Sequence, residues 1–391
     1  MPFKRLLKDE RGVILVITLL IIALLIGAGA GAMALVQTDL KISANLKNGT
    51  QAFYLAEAGI EWAKQQIKNA AANPPYLIRT TQNLSPGTFT VHFEEPTKVT
   101  KLSSTVAVQS TGTFGRSSSI VQALVTKTYQ LADAALSIRG DELDAVFKGK
   151  TFLVDGKDYN PATGELVEGT QSRFGISVAS LKAKSAVIDE LSGQQASRVV
   201  GKGGTTPSVE KTSFLSSDEV ARIANDLCNA PGAIVLDIVS SGTLRISGNT
   251  TYGTRGSPGL YCFNGSAILG DKVDIEGNFN GAGILVVRDA DLVASDNFHW
   301  EGIIIVSGTG VGFRVKGKGD KNIFGSLMIN ERGTDTETGT EEIRLEGAVK
   351  LRYSSSALTI AAELFPLSAL EPIYGSIPSS LEQKYWRTVT D

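Results

Sequence analysis

Acidic side chains recur in the second half of the sequence at positions where carboxylate chemistry can be considered. Asp289 and Asp291 are two positions apart, so both side chains would lie on one face of an extended strand, and Arg288 precedes Asp289. Carboxylates that converge can act as acid and base in sugar cleavage, or can bind calcium. Other candidates lie in neighbouring segments: Asp271, Asp274, Asp296, His299 and Glu301. Because aspartate is also common in turns, the pattern favours a solvated face over an active site.

A second set of oxygen ligands lies earlier in the chain. Asp155, Asp158 and Asn160 are spaced like ligands of a calcium loop, but the EF-hand pattern is incomplete. A hairpin turn is therefore the simpler interpretation. The sequence contains two histidines and has no CxxC pair, Gly-rich phosphate loop or Ser-His-Asp order. We expect neither an enzyme nor a bound metal or other cofactor.

Cys228 and Cys262 are the only cysteines in the 391 residues. Two cysteines suit an exported protein with one disulfide, and they suit two buried thiols equally well. The sequence leaves both alternatives open.

The charge balance argues against a nucleic-acid partner. The chain has 38 basic and 40 acidic residues, a formal net charge of −2, so no broad cationic surface is indicated. Its 41 glycines indicate many tight turns.

These residues must be positioned by a chain that begins with an apolar helix. Residues 13–36 carry no charge, and about 24 residues at about 1.5 Å each cross a hydrocarbon core of about 30 Å. The preceding basic residues predict a cytoplasmic N-terminus and a C-terminal part outside the inner membrane. The alternative is a secretory signal peptide, because A-x-A patterns at Ala30–Ala32 and Ala32–Ala34 would allow cleavage.

The helical pattern continues beyond the apolar segment. There is no proline between Pro2 and Pro74. An apolar stripe recurs with a seven-residue period: Leu46, Phe53, Ile60 and Ile67, accompanied by Ala56, Ala63 and Ala70. This predicts one helix over residues 13–69 that packs on a domain in its second half. Gly27 and Gly31 would let another helix approach its first half closely.

The order of these features resembles a known family. Arg11-Gly12-Val13-Ile14-Leu15-Val16, an apolar span, and the segment Ala52-Phe53-Tyr54-Leu55-Ala56-Glu57-Ala58-Gly59-Ile60-Glu61-Trp62-Ala63 are similar to the N-terminal region of the PilX group of pilin-like proteins. The resemblance covers about residues 11–68.

The resemblance implies processing and assembly. A prepilin peptidase would cut after Gly12, and Val13 would become the N-methylated first residue. Pilins usually carry a glutamate five residues into the mature chain, where this sequence has Ile17. This departure favours a minor, priming or tip-located subunit over a major one. The implied partners are other pilins, the pilus assembly machinery, the peptidase and membrane lipid.

The remaining sequence predicts an α+β protein in several parts. We assign residues 1–12 to a leader, 13–36 to the membrane span, 37–129 to a helix with a small antiparallel sheet, and 130–215 to a mixed connector. We assign residues 216–391 to a Gly-rich all-β domain that includes a capping helix over 217–229. Similar strands at 281–287, 300–306 and 324–330 favour a β-solenoid, or parallel β-helix, over a β-sandwich.

Two functional hypotheses follow from the sequence. The favoured one is a minor pilin-like subunit of a type IV pilus or related secretion filament, located in the inner membrane and then in the filament, with adhesion to a polysaccharide or partner surface. The alternative is a secreted or membrane-anchored β-helix protein that binds or cleaves polysaccharide.

Overall fold

The structure is a computed structural model. It describes residues 10–69, 80–94, 98–140, 145–148, 151–191, 193–238, 242–266, 270–332, 343–376 and 380–389. The chain divides into two units. The first comprises Met1–Thr97, Thr105–Thr126 and Glu382–Asp391, and the second comprises Lys98–Ser104 and Lys127–Leu381.

The first unit contains helix α1, which runs over Glu10–Asn69 without interruption. Its 60 residues correspond to about 90 Å at about 1.5 Å per residue. The stretch Gly12–Lys68 contains an 18-residue window of mean hydropathy 3.0, none of it buried. The long helix predicted from the sequence is confirmed, and it is long and apolar enough to cross a membrane.

A six-stranded sheet, here the first sheet, accompanies this helix. Its strands, numbered along the chain, are β1 (Thr80–Leu84), β2 (Gly87–Phe93), β3 (Lys98–Val99), β4 (Ser103–Phe114), β5 (Ser117–Thr128) and β24 (Ser380–Val389). Strand β2 pairs antiparallel with both β1 and β4. Buried and half-buried residues alternate along β2 and β4, as expected when one face of a sheet is covered.

Strand β24 changes the predicted domain organisation. We expected residues 216–391 to form one domain, whereas β24 lies beside β5 in the first sheet. When a strand is added to the edge of a sheet, the backbone groups of that edge gain hydrogen-bond partners. The periodicity of a strand's sequence does not specify which sheet edge the strand will join.

The second unit contains two parallel sheets. The second sheet has twelve strands: β6 (Ala134–Ile138), β8 (Leu153–Asp155), β9 (Phe174–Val178), β10 (Val199–Val200), β11 (Val209–Lys211), β12 (Ile234–Asp237), β14 (Asn249–Tyr252), β15 (Gly259–Asn264), β17 (Asn278–Arg288), β19 (Asn297–Gly308), β21 (Lys321–Glu331) and β23 (Val349–Tyr353). The third sheet has six: β7 (Ala145–Lys148), β13 (Thr243–Ile246), β16 (Lys272–Ile275), β18 (Asp291–Ala294), β20 (Phe313–Val315) and β22 (Ile343–Glu346).

From β15 to β23 the chain alternates between these two sheets. The central order of the second sheet is β12-β15-β17-β19-β21-β23, and that of the third is β13-β16-β18-β20-β22. The register is regular, since Ile284 of β17 pairs with Ile303 of β19, and Ile304 pairs with Leu327 of β21. In such in-register parallel strands, similar side chains from successive strands stack on one another inside the unit.

The connector predicted over residues 130–215 is not a separate region. Strand β8 pairs with β23, and β7 pairs with β22, so this part of the chain extends both parallel sheets at one end. Strands β6 and β8 of this segment are apolar and largely buried. Their addition removes from water apolar surface that the last strands of the sheets would otherwise expose.

Four helices also belong to the second unit, which is therefore not all-β as predicted. They are α2 (Leu181–Glu190), α3 (Ser217–Cys228), α4 (Ser355–Ala362) and α5 (Leu367–Ser376). The predicted capping box of α3 is present, since Glu219 N donates to Ser216 Oγ and Ser216 N donates to Glu219 Oε2. Helix α3 contacts β15, β17, β19 and β21, so it follows the second sheet across its strands instead of covering one end.

The core of the second unit lies between the parallel sheets. Phe279 and Phe298 are stacked with their ring centroids 5.2 Å apart, and Trp300 is fully buried beside them. Large apolar side chains repeated at one register position thus give a continuous interior.

Candidate assembly helix and its processing site

The predicted processing site lies in the first turns of α1. Val13 is 40% exposed, and a Cβ added at Gly12 would meet no atom within 4 Å. No described residue therefore covers the peptide bond between Gly12 and Val13.

The first half of α1 presents an uncovered apolar surface. Ile17, at the position where pilins carry glutamate, is 52% exposed. Added Cβ atoms at Gly27 and Gly31 would also meet no atom within 4 Å. Among the described residues nothing packs on this surface, so it is available to lipid or to neighbouring helices.

The second half of α1 has one buried face. Ala56 and Ala63 are 0% exposed and Ile60 is 2% exposed. Phe53 is only half-buried, and Leu46, predicted to belong to the same stripe, is 67% exposed. The predicted Ala70 lies outside the described residues. The stripe therefore begins later than the heptad period suggested, because the burying surface starts near residue 52.

Two glycines bring this face into close contact with the first sheet. A Cβ added at Gly59 would lie 2.0 Å from Ser110 Oγ, and one added at Gly112 would lie 2.1 Å from the backbone oxygen of Ala52. Both distances are far below van der Waals contact, so only glycine fits at these two crossing points. The sequence predicted Ala56, Ile60 and Ala63 but missed Gly59, since nothing in the helix period shows which strand residue faces it.

The carboxylates that suggested chemistry are distributed over different faces. Asp291 is on β18 of the third sheet, with Arg314 at 3.2 Å, and burial raises the pKa of its carboxyl. Glu301 is on β19 of the second sheet, with Arg255 at 2.7 Å. Asp289 follows β17 with a φ of 53°. Asp291 and Glu301 lie on separate sheets, so no shared groove is formed.

The other candidates of this set have local partners. Asp271 accepts hydrogen bonds from Ser266 N and Oγ. Asp274 accepts one from Ser295 Oγ, and Asp296 accepts one from Gly277 N. These carboxylates accept hydrogen bonds from neighbouring segments, but Asp271 is buried, so the solvated face expected from the sequence is not found at that position.

The proposed calcium-loop residues also accept hydrogen bonds from other groups of the second unit. Asp155 accepts from Tyr159 Oη at 2.7 Å, and burial, together with this bond, raises the pKa of Tyr159 to about 12. Asn160 Oδ1 accepts from Ala162 N. Asp158 accepts from Ser355 N at 2.8 Å and from Ser355 Oγ at 2.6 Å. In the part of the chain that the structure describes, no group of three His, Cys, Asp or Glu residues could hold a metal ion.

We expect Asp158→Ala to destabilise the second unit and calcium to leave its stability unchanged. The carboxylate accepts two hydrogen bonds at the start of α4, and losing hydrogen bonds to a buried charged group costs about 1.5–3 kcal/mol. Thermal unfolding of the full chain, with and without added calcium, measures both effects. A calcium-dependent rise in the midpoint that Asp158→Ala abolishes would show instead that the loop binds the ion.

The two cysteines form a disulfide. Cys228 is the last residue of α3 and Cys262 lies in β15, with their Cα atoms 5.6 Å apart. The bridge therefore ties the helix to the second sheet, and it resolves the alternative that the sequence left open.

Comparisons with known proteins bear on the N-terminal helix. The family model described as PilX N-terminal matches residues 11–61. The solved structure of the competence-associated pilin ComZ from Thermus thermophilus aligns over 88% of this chain and 97% of its own, with 13% identity and a TM-score of 0.29, too low to define a shared fold. No curated protein matches the sequence. The match over residues 11–61 confirms the resemblance indicated by the sequence: this N-terminal region is similar to that of the PilX pilin-like proteins.

Proposed function

We propose that this protein is a minor, non-enzymatic pilin-like subunit of a type IV pilus or related filament. The observation that carries the proposal is the form of α1, whose first half is apolar and uncovered while its second half buries one face on a sheet. A helix of this form can reside in lipid before assembly and can pack against other subunits afterwards. The PilX N-terminal match over the same residues supports it.

The proposal includes a membrane location and a processing step. The basic residues before the span favour a cytoplasmic N-terminus, with the chain after the span on the other side of the inner membrane. Cleavage by a prepilin peptidase after Gly12 would give Val13 as the methylated N-terminus. Ile17 supports a minor role, because the mature chain would lack the carboxylate that pilins carry at that position.

For the second unit we propose a β-solenoid. Its support is the alternation of the chain between two parallel sheets in regular register. The dispersal and local pairing of the carboxylates favour a binding or structural role over polysaccharide cleavage, the alternative function.

We expect the purified full chain, expressed in a host with a prepilin peptidase, to begin at methylated Val13. Replacing Gly12 by valine should abolish this cleavage, because a branched side chain would occupy the space next to the scissile bond. Gly29→Val is the matched control, since an added Cβ there also meets no atom within 4 Å, and it should be processed normally.

Intact-protein and N-terminal peptide mass spectrometry distinguish the outcomes. A chain that begins at Leu35 would identify a secretory signal peptide and contradict the proposal. An uncleaved Met1 chain in the presence of active peptidase would contradict the processing step as well.

A further inference from the structure

The outward face of the second sheet carries polar side chains in two columns that cross successive strands. The first column runs through Asn249, Asn278 and Asn297, which pair in register from β14 to β17 to β19. The second column has its members two residues further along each strand: Thr251, Asn280, His299 and Asn322. Both columns line one groove of about 610 Å³.

The first column is fixed by its own hydrogen bonds. Asn278 Nδ2 donates to Asn249 Oδ1 at 2.8 Å, and Asn297 Nδ2 donates to Asn278 Oδ1 at 2.7 Å. Asp320 N then donates to Asn297 Oδ1 at 2.9 Å. Asn278 and Asn297 each use one of their two N–H groups in this ladder and Asn249 uses neither, so N–H groups in a fixed orientation remain for a ligand.

The second column is not satisfied in this way. Within the described residues, the side chains of Thr251, Asn280 and Asn322 make no hydrogen bond. Thr251 and Asn280 are exposed and Asn322 is half-buried, so a ligand in the groove can reach all three. Together they offer hydroxyl and amide groups that can both donate and accept. A row of such groups at the strand spacing of about 4.8 Å forms a repeating set of contacts.

Beside the second column, charged side chains form ion pairs with one another and one of them stacks on an aromatic ring. Arg255 binds both carboxylate oxygens of Glu301, at 2.7 and 2.9 Å, and His299 Nε2 lies 3.1 Å from Glu301 Oε1. Burial opposes ionisation of Glu301, but the hydrogen bonds from His299 and Arg255 outweigh it and lower the pKa of the carboxyl. The Arg352 guanidinium lies over the Phe324 ring, 5.0 Å from its centroid. The two arginines beside this column are thus matched by Glu301 or lie over an aromatic ring, whereas Lys350, in register with Asn322, places one further cation at the β23 end of the second column.

We propose that this groove binds a neutral glycan chain that runs across the strands. Hydroxyl-rich rings need many donors and acceptors without net charge, which the two columns supply. The strand spacing of about 4.8 Å is close to the length of one sugar ring, so successive rings would meet equivalent side chains. An anionic polymer is disfavoured within the groove, because Asp320 is among its lining residues and none of the described lining residues is Lys or Arg; Lys350 lies one strand beyond Asn322.

This proposal concerns the second unit and can be tested on the purified full chain without assembly. Binding requires neither cleavage at Gly12 nor a filament, so its failure would leave the proposed pilin-like function untouched. If both hold, the glycan site would provide the adhesive surface of the proposed subunit.

The test is binding of the detergent-solubilised full chain to insoluble cellulose, chitin and starch, and to soluble mannan and dextran, with alginate as the anionic probe. We expect retention on at least one neutral polysaccharide and none on alginate. The double variant Asn280→Ala/Asn322→Ala should bind about 25-fold more weakly, since each lost amide contact is worth about a factor of five.

Two further variants make the result specific. Thr251→Val keeps the shape of the side chain and removes only its hydroxyl, so a loss of binding without a change in thermal midpoint reports a direct contact. Arg245→Ala/Glu276→Ala removes an exposed ion pair at the third sheet and should bind like the wild type. Absence of binding to every neutral probe, preference for alginate, or wild-type affinity of the asparagine double variant would each overturn the proposal.

Discussion

Loss of the disulfide between Cys228 and Cys262 is expected to lower the free energy of unfolding of the second unit by about 4 kcal/mol, from the chain-entropy cost of a loop this long. The two cysteines are 34 residues apart in sequence, and the closed loop contains β12, β13 and β14. Those strands lie at one end of the parallel sheets. Without the covalent link, the unfolded chain gains the freedom that the bridge removes, and this end should open first.

Thermal unfolding of the wild type and of Cys228→Ala/Cys262→Ala, each with and without reductant, distinguishes the effect of the disulfide bond on stability from the effect of replacing the two side chains. Reductant should lower the midpoint of the wild type and leave the double variant unchanged. Amide hydrogen exchange should increase most in residues 234–252. A wild-type midpoint that does not respond to complete reduction would show that the bridge contributes nothing to stability.

The part of the fold that the sequence predicts best is governed by local periodicity. Helix α1 follows from an uninterrupted apolar and heptad pattern with no proline between Pro2 and Pro74. The strands at 281–287, 300–306 and 324–330 lie within β17, β19 and β21, because consecutive branched apolar residues suit a strand buried in a parallel sheet.

The parts that the sequence does not predict depend on contacts between distant segments. Strands β7 and β8 pair with β22 and β23, which lie some 200 residues later, and β24 returns to the first sheet. No local pattern specifies such partners. Arg387 of β24, for example, donates from Nε to Gln122 Oε1 at 2.9 Å, across a sequence separation of 265 residues.

The candidate site shows the same limit. Ala56, Ile60 and Ala63 are recognisable from their spacing, whereas the role of Gly59 depends on Ser110, which is 51 positions away in sequence. Similarly, acidic residues close in sequence suggested a common site. Because the chain alternates between sheets, Asp291 lies in the third sheet and Glu301 in the second.

Alanine at Gly59 is expected to destabilise the first unit by about 1–3 kcal/mol, the usual cost of forcing an extra group into a packed interface. The new Cβ would lie 2.0 Å from Ser110 Oγ and 3.0 Å from Phe89 Cδ2. Gly49 is the matched control on the same helix, because a Cβ there meets no atom within 4 Å. Gly49→Ala should stabilise the unit by up to about 1 kcal/mol through helix propensity, so the two substitutions should have opposite signs.

The clash can be relieved from the opposite side. Ser110 is fully buried and its Oγ has no hydrogen-bond partner within the described residues, so Ser110→Ala removes the nearest atom without losing a hydrogen bond. The double variant Gly59→Ala/Ser110→Ala should therefore recover part of the stability lost in Gly59→Ala, a coupling that a double-mutant cycle measures directly. Hydrogen exchange of β2 and β4 follows the effect, because the helix contacts the sheet there and Trp62 lies 6.2 Å from the Phe89 ring. Equal effects of alanine at 49 and 59, or no coupling between 59 and 110, would mean that the helix does not approach the sheet as closely as its glycine permits.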